Sequence, residues 1–148
     1  MLMPTRILVP TDFSEPSDKA LEQALDIAKQ YHAKVFVVHV MHKEFYGLSE
    51  GFSSNLEELW KMKDRHRAET EERLRHQLRK FPQTDEIEIS AGIRQGVAYE
   101  EILAEEKEKK IDLIVIASLG RTGIAKYLIG GVARNVLKGS KCPVLLTR

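Results

Sequence analysis

Residues 33–41 read Ala-Lys-Val-Phe-Val-Val-His-Val-Met, a nearly uninterrupted apolar run. A strand of this kind must be covered on both faces, the condition met in a parallel sheet crossed by helices. The segment before it supplies the first crossing. Residues 6–10 (RILVP) form another short apolar run, and Thr11-Asp12-Phe13-Ser14-Glu15-Pro16 carries the turn and cap chemistry that precedes a helix. Over residues 17–31 the apolar Leu21, Ala24, Leu25, Ala28 and Tyr31 recur at helical spacing, leaving Asp18, Glu22, Asp26, Lys29 and Gln30 for water. A strand-helix-strand unit is therefore complete by residue 41.

Outward from that unit the alternation continues. Residues 42–53 read as an irregular connection, and residues 56–81 as a long helix with Glu57/Lys61 and Glu71/Arg75 at i,i+4. Its middle is almost entirely charged and is read as a solvated face, with a partner surface as the alternative. Pro82 stops it. Residues 86–93 (EIEISAGI) alternate like an edge strand, Arg94-Gln95-Gly96 reads as a loop, and residues 97–109 as a helix. A buried strand at 111–118, a glycine-bearing loop at 119–130, a helix over about 131–138 and a closing strand at Pro143–Thr147 complete the chain. Five strands alternating with four helices predict a doubly wound parallel sheet in a three-layer α/β/α sandwich, one domain over residues 1–148.

Composition narrows the function classes. The 148 residues carry 23 Lys+Arg against 22 Asp+Glu, a formal charge of +1, which argues against a nucleic-acid partner. With 43% hydrophobic and 30% charged residues and a mean hydropathy of −0.31, the chain reads as an ordinary globular protein. Its apolar runs fall far short of the roughly 20 residues that span a bilayer, and Arg6 interrupts any secretory core, so no membrane role is expected. The single cysteine, Cys142, permits no internal disulfide and fits a reducing cytoplasm. It reads as a small hydrophobe beside a strand.

In an open parallel sheet ligands bind beyond the carboxyl ends of the strands, where the strand order reverses. Two loops stand there. In Pro10-Thr11-Asp12-Phe13-Ser14, Asp12 lies just past a strand end, where a carboxylate can accept from a ribose hydroxyl or a base; the alternative is that Asp or Ser caps the next helix. The second loop, from Ala117 to Gly131, passes through glycines into a helix N-terminus that can present N–H groups to phosphate, with Arg121, Lys126 and Arg134 as compensating charge. Its spacing is neither a Walker nor a dinucleotide fingerprint, and ordinary turns with a helix cap remain the alternative. His39 reads as a hydrogen-bonded core histidine, His66 and His76 as surface residues, and Trp60 and Tyr46 as packing over the sheet edge. No nucleophile-base set is identifiable from spacing.

Taken together, Ile7-Leu8-Val9-Pro10-Thr11-Asp12-Phe13-Ser14, Val37-Val38-His39-Val40, the loop from Gly120 to Gly131 and Cys142-Pro143-Val144-Leu145-Leu146 resemble the universal stress protein family over essentially the full length. The resemblance implies the same sandwich, homodimers formed through the last strand, and a division into a branch that binds ATP and one that does not. The ATP branch looks like Gly, two residues, Gly, nine residues, Gly, then Ser or Thr. Laid on this chain those positions are Ala117, Gly120, Gly130 and Gly131, so the first and last depart. Ala117 adds a methyl at a cost of around 1 kcal/mol if the turn needs positive φ. Gly131 loses a hydroxyl donor and keeps its N–H.

By carry-over Pro10, Thr11 and Asp12 would line adenine and ribose, Val40 would face the base, Ile116 would lie near the nucleotide, and Arg121 and Val132 would complete the set. The expectation is a cytoplasmic stress-response protein that binds ATP, with or without Mg²⁺, and acts as a dimeric regulatory module. A nucleotide-free dimeric interaction protein is the alternative, and a slow ATPase stands behind both. The apolar closing strand, which leaves an unpaired sheet edge, supports the dimer independently.

Overall fold

The computed structural model describes residues 2–43, 56–119 and 129–148. Its elements are β1 (Arg6–Pro10), α1 (Glu15–Tyr31), β2 (Lys34–Met41), α2 (Leu56–Arg79), a 3₁₀ turn (Pro82–Glu86), β3 (Ile89–Gln95), α3 (Ala98–Glu108), β4 (Leu113–Ala117), α4 (Gly131–Gly139) and β5 (Val144–Thr147). The strands form one sheet in the order β3-β2-β1-β4-β5, parallel throughout. The chain winds outward from β1 to β3, then returns to place β4 on the other side of β1. This is the doubly wound sandwich expected from the alternation, and its reversal point lies between β1 and β4.

Strand periodicity divides the core into two layers. Ile7, Val9, Val35, Val37, Leu113 and Val115 pack against Leu21, Ala24 and Leu25 of α1 and Leu74 of α2. Their neighbours Leu8, Phe36, Val38, Ile114 and Ile116 face Ile102 of α3 and Ala133 and Val136 of α4. Each fully enclosed aliphatic side chain contributes about 1.5–3 kcal/mol of transfer free energy. The central strands are therefore the rigid frame on which the loops at their carboxyl ends stand.

Several boundaries differ from the sequence expectation, each for a local reason. α1 begins at Glu15 because Ser14 caps it, its side chain accepting from the Ser17 N–H at 3.3 Å, with Pro16 in the first turn. α2 ends at Arg79, and the residues after it wind the 3₁₀ turn that begins at Pro82. That turn consumes Glu86, so β3 starts only at Ile89. Arg94 and Gln95, expected in a loop, instead pair with Val40 and Met41. Arg94 is held there by α3: Nε donates to Glu101 at 2.7 Å, and Nη1 to Glu105 at 2.7 Å and Glu108 at 2.9 Å. The turn comes one residue later, at Gly96, whose φ of 150° and whose Cβ direction, 2.8 Å from Glu101 Oε1, both favour glycine.

The charged helix α2 buries only Thr70, Leu74 and Gln77. Trp60, expected to pack over the sheet edge, is 63% exposed instead, because the turn that carries it lies beyond the buried stripe. Tyr46 and most of the connection expected at 42–53 lie outside the described residues, as do Gly120, Arg121 and Lys126. At the opposite edge of the sheet from β3, β5 leaves Leu145 38% exposed. Among the described residues no helix is long and apolar enough to cross a membrane.

Candidate functional site

Beyond the carboxyl ends of β1, β2 and β4 lies a cleft of about 470 Å³. β1 delivers Pro10, Thr11 and Asp12 to it, β2 delivers Val40, β4 delivers Ile116 and Ala117, and the start of α4 delivers Gly130, Gly131 and Val132. The β1 loop and the two described ends of the glycine-bearing loop thus meet at one cavity. Gly120 and Arg121 fall outside the described residues. Arg134, expected to supply charge here, is exposed and off the cleft wall, its Nη2 directed at the Ile129 carbonyl at 3.5 Å.

The β1 loop is tightly specified. Thr11 donates its N–H to the Val38 carbonyl at 2.9 Å, and its hydroxyl donates to Gln77 Oε1 at 2.8 Å while accepting from the Phe13 N–H at 3.1 Å. Asp12 Oδ1 accepts from the Ser14 N–H at 3.0 Å and from the Ser14 hydroxyl, an Asx-type brace. Asp12 therefore stiffens the turn while lining the cleft, and Ser14 is the helix cap. The Thr11 carbonyl accepts from His39 Nδ1 at 2.7 Å, which fixes the ring proton on that nitrogen. His39 is hydrogen-bonded as expected, yet it is half-buried at the cleft wall, its ring stacked on Phe13 at 4.4 Å.

At the other wall the Gly130 N–H donates to the Ser118 carbonyl at 2.7 Å, folding the start of α4 back onto the end of β4. Gly130 has φ −60°, so its conformation would suit any residue; a Cβ there would stand 3.2 Å from the Ser118 oxygen, and close approach is what favours glycine. Gly131 has nothing within 4 Å of its Cβ direction. Ala117 belongs to β4 and pairs with Thr147, and it is absent from the residues with positive φ. The backbone penalty expected for its methyl does not arise.

A third wall went unread in the sequence. His66, Thr70 and Arg73 of α2 line the cleft, so His66 is not merely a surface residue. Together with Gln77 they repeat at i, i+4, i+7 and i+11, one helical stripe carrying polar groups where a packing stripe would carry apolar ones. That periodicity was the available signal. Among the described lining residues Asp12 is the one carboxylate, against the Arg73 guanidinium and the imidazoles of His39, His42 and His66. The floor is apolar, built from Val38, Val40, Ile102 and Ile116. An apolar floor with convergent polar groups is the make-up of a small-molecule site.

Away from the cleft, Glu106 of α3 accepts from Ser140 Oγ at 2.9 Å and from the Lys141 and Cys142 N–H groups at 2.8 and 3.0 Å. Burial raises its carboxyl, but these donors outweigh that and leave it below the ordinary 4.5. Burial pushes the neighbouring Cys142 thiol up to about 11, so it stays protonated and unreactive at neutral pH. Among the described residues no group of three or more His, Cys, Asp or Glu is placed to hold a metal ion.

The universal stress protein family profile matches residues 3–148. The chain belongs to the universal stress protein family. Universal stress protein MJ0531 of Methanocaldococcus jannaschii is 34% identical over 145 residues, covering 97% of this chain and 81% of that protein. The fold is that of the universal stress protein UspA from Lactobacillus plantarum, with a TM-score of 0.81, 23% identity and complete coverage of both chains. A universal stress protein from Archaeoglobus fulgidus, solved in complex with dAMP, aligns with a TM-score of 0.64 at 20% identity over 99% of this chain and all of its own. In this universal stress protein, then, the start of α4 has one glycine close against Ser118, Gly130, and one with open space in its Cβ direction, Gly131.

Proposed function

We propose that this universal stress protein binds an adenine nucleotide, ATP foremost, in the cleft at the β1/β4 reversal point, and that it works as a dimeric regulatory module in the cytoplasm. The observation that carries the reading is the meeting, around one 470 Å³ cavity, of the Asp12 carboxylate, an apolar floor and the N-terminus of α4. Val40 and Ile116 would take the base between apolar surfaces, Pro10, Thr11 and Asp12 would meet its edge and the ribose, and Gly131 and Val132 would present N–H groups to phosphate, with Gly130, its own N–H bonded to Ser118, setting the turn before them. Gly120, Arg121 and Ala117 would complete the phosphate side, with Mg²⁺ as the triphosphate's counterion. The dAMP complex of the Archaeoglobus relative supports the ligand class. Binding and release, rather than turnover, is the activity proposed.

The dimer would form through Pro143–Thr147, where β5 is an edge strand with Leu145 exposed. The whole chain would then act as one domain, signalling by its nucleotide state. Sedimentation at micromolar concentration tests the dimer, and a monomer there would overturn it. Calorimetry of nucleotide-stripped protein with ATP, ADP and AMP in the presence of Mg²⁺ tests the site. A second reading, a nucleotide-free dimeric interaction protein, is favoured by one observation, the hydroxyl missing at Gly131; absence of binding to all three nucleotides would select it.

A further inference from the structure

Phe13 sits at φ 64°, in the left-handed region that a bulky residue enters only when its surroundings impose it. The surroundings are identifiable. Its ring stacks on His39 with centroids 4.4 Å apart, and the Arg73 guanidinium stands 4.4 Å from its centroid. His39 is anchored on the Thr11 carbonyl at 2.7 Å, and the Thr11 hydroxyl on Gln77 of α2 at 2.8 Å. Asp12 lies between Thr11 and Phe13, so the contacts that fix the two flanking residues constrain the backbone from which its carboxylate projects, and its bonds to Ser14 orient the carboxylate itself. α2, whose Gln77 lies 66 residues from Thr11 in sequence, thus grips the turn through Arg73 on one flanking residue and Gln77 on the other.

We infer that Arg73 is a positioning residue for the nucleotide site: packed on Phe13, it holds the left-handed turn that presents Asp12 to the ligand. The inference rests on the nucleotide reading for its consequence, though the turn itself can be tested without ligand. The Phe13 and Ser14 N–H groups, bonded to Thr11 Oγ1 and Asp12 Oδ1, report whether the turn is closed. An exposed cation-π contact is worth enough to change such an opening equilibrium about two- to fivefold.

Amide exchange and ATP calorimetry on wild type, Arg73→Ala, Arg73→Lys and Phe13→Gly form the test. Arg73→Ala is expected to speed exchange at Phe13 and Ser14 about two- to fivefold and to weaken ATP by a similar factor. Exchange in β1 and the body of α1 should stay as in wild type. Arg73→Lys, which keeps a cation over the ring, should recover part of both effects. Once Phe13→Gly has removed the ring, adding Arg73→Ala should change ATP affinity no further. The inference is overturned if Arg73→Ala leaves turn exchange or ATP affinity unchanged. It is equally overturned if exchange rises uniformly along α1 and α2, or if the double variant loses affinity additively. Should wild type bind no nucleotide, the functional reading fails and the exchange comparison alone decides whether Arg73 holds the turn.

Discussion

The Gly130 N–H donates to the Ser118 carbonyl at 2.7 Å, and the same Ser118 donates its own N–H to Thr147 at 2.8 Å. One residue therefore ties the end of β4 to the start of α4 and to the closing strand β5, so the proposed phosphate side and the proposed dimer edge share an anchor point. Gly130→Ala places a methyl 3.2 Å from the Ser118 oxygen, which must shift by a few tenths of an ångström. ATP affinity is expected to fall about tenfold, ~1.4 kcal/mol, with little change in urea stability. Calorimetry beside a denaturation curve separates the two.

Gly131→Ser should act in the opposite direction. Nothing lies within 4 Å of the added Cβ, and the hydroxyl returns a donor beside the first turn of α4. An added hydrogen bond of ordinary worth gives an expected gain of about two- to tenfold in ATP affinity. AMP, lacking the outer phosphates, should gain less, and the ratio of the two affinities by calorimetry is the measurement.

Gln77 is 2% exposed, accepts the Thr11 hydroxyl at 2.8 Å and donates from Nε2 to Asp18 at 2.8 Å. Gln77→Leu fills similar space but removes the acceptor of the Thr11 hydroxyl and the donor to Asp18, leaving Thr11 the Ser17 Oγ at 3.1 Å. The expected loss is about 1–3 kcal/mol in urea unfolding, two hydrogen bonds at about 0.5–1.5 kcal/mol each.

Glu106 makes stability depend on pH with a definite sign. Its folded-state pKa is below the ordinary 4.5, so between the two values the native protein binds fewer protons than the unfolded chain. Its contribution is fully present above about pH 4.5 and is lost as pH falls through the folded value. Glu106→Gln is expected to cost about 1–3 kcal/mol at pH 7. The difference from wild type should shrink in acid; urea unfolding at a series of pH values checks both the size and the direction.

The residues explain what could be read in advance. β1, β2 and β4 are nearly continuous apolar runs because both faces are covered, and such runs are visible without a structure. β3 lies later in the chain than its alternation suggests because Arg94 looks like loop when read alone; the three glutamates that hold it lie on the following helix, at separations no local pattern reports. The site was half legible. Asp12 stands past the end of β1, where topology forecasts ligands, and Gly130 and Gly131 at the start of the helix that follows β4, whereas His66 and Arg73 looked like members of a solvated charged face. Only their shared stripe with the buried Thr70 and Gln77 separates them from the charges around them.

The central claim is that the cleft takes an adenine nucleotide through Asp12. Titrating stripped wild type and Asp12→Ala with ATP and AMP in the presence of Mg²⁺ tests it most directly. The account expects wild type to bind ATP at micromolar concentration and more tightly than AMP, and Asp12→Ala to lose at least about tenfold for both, ~1.4 kcal/mol. Equal affinity in the variant, or no heat from either nucleotide with wild type, would contradict it.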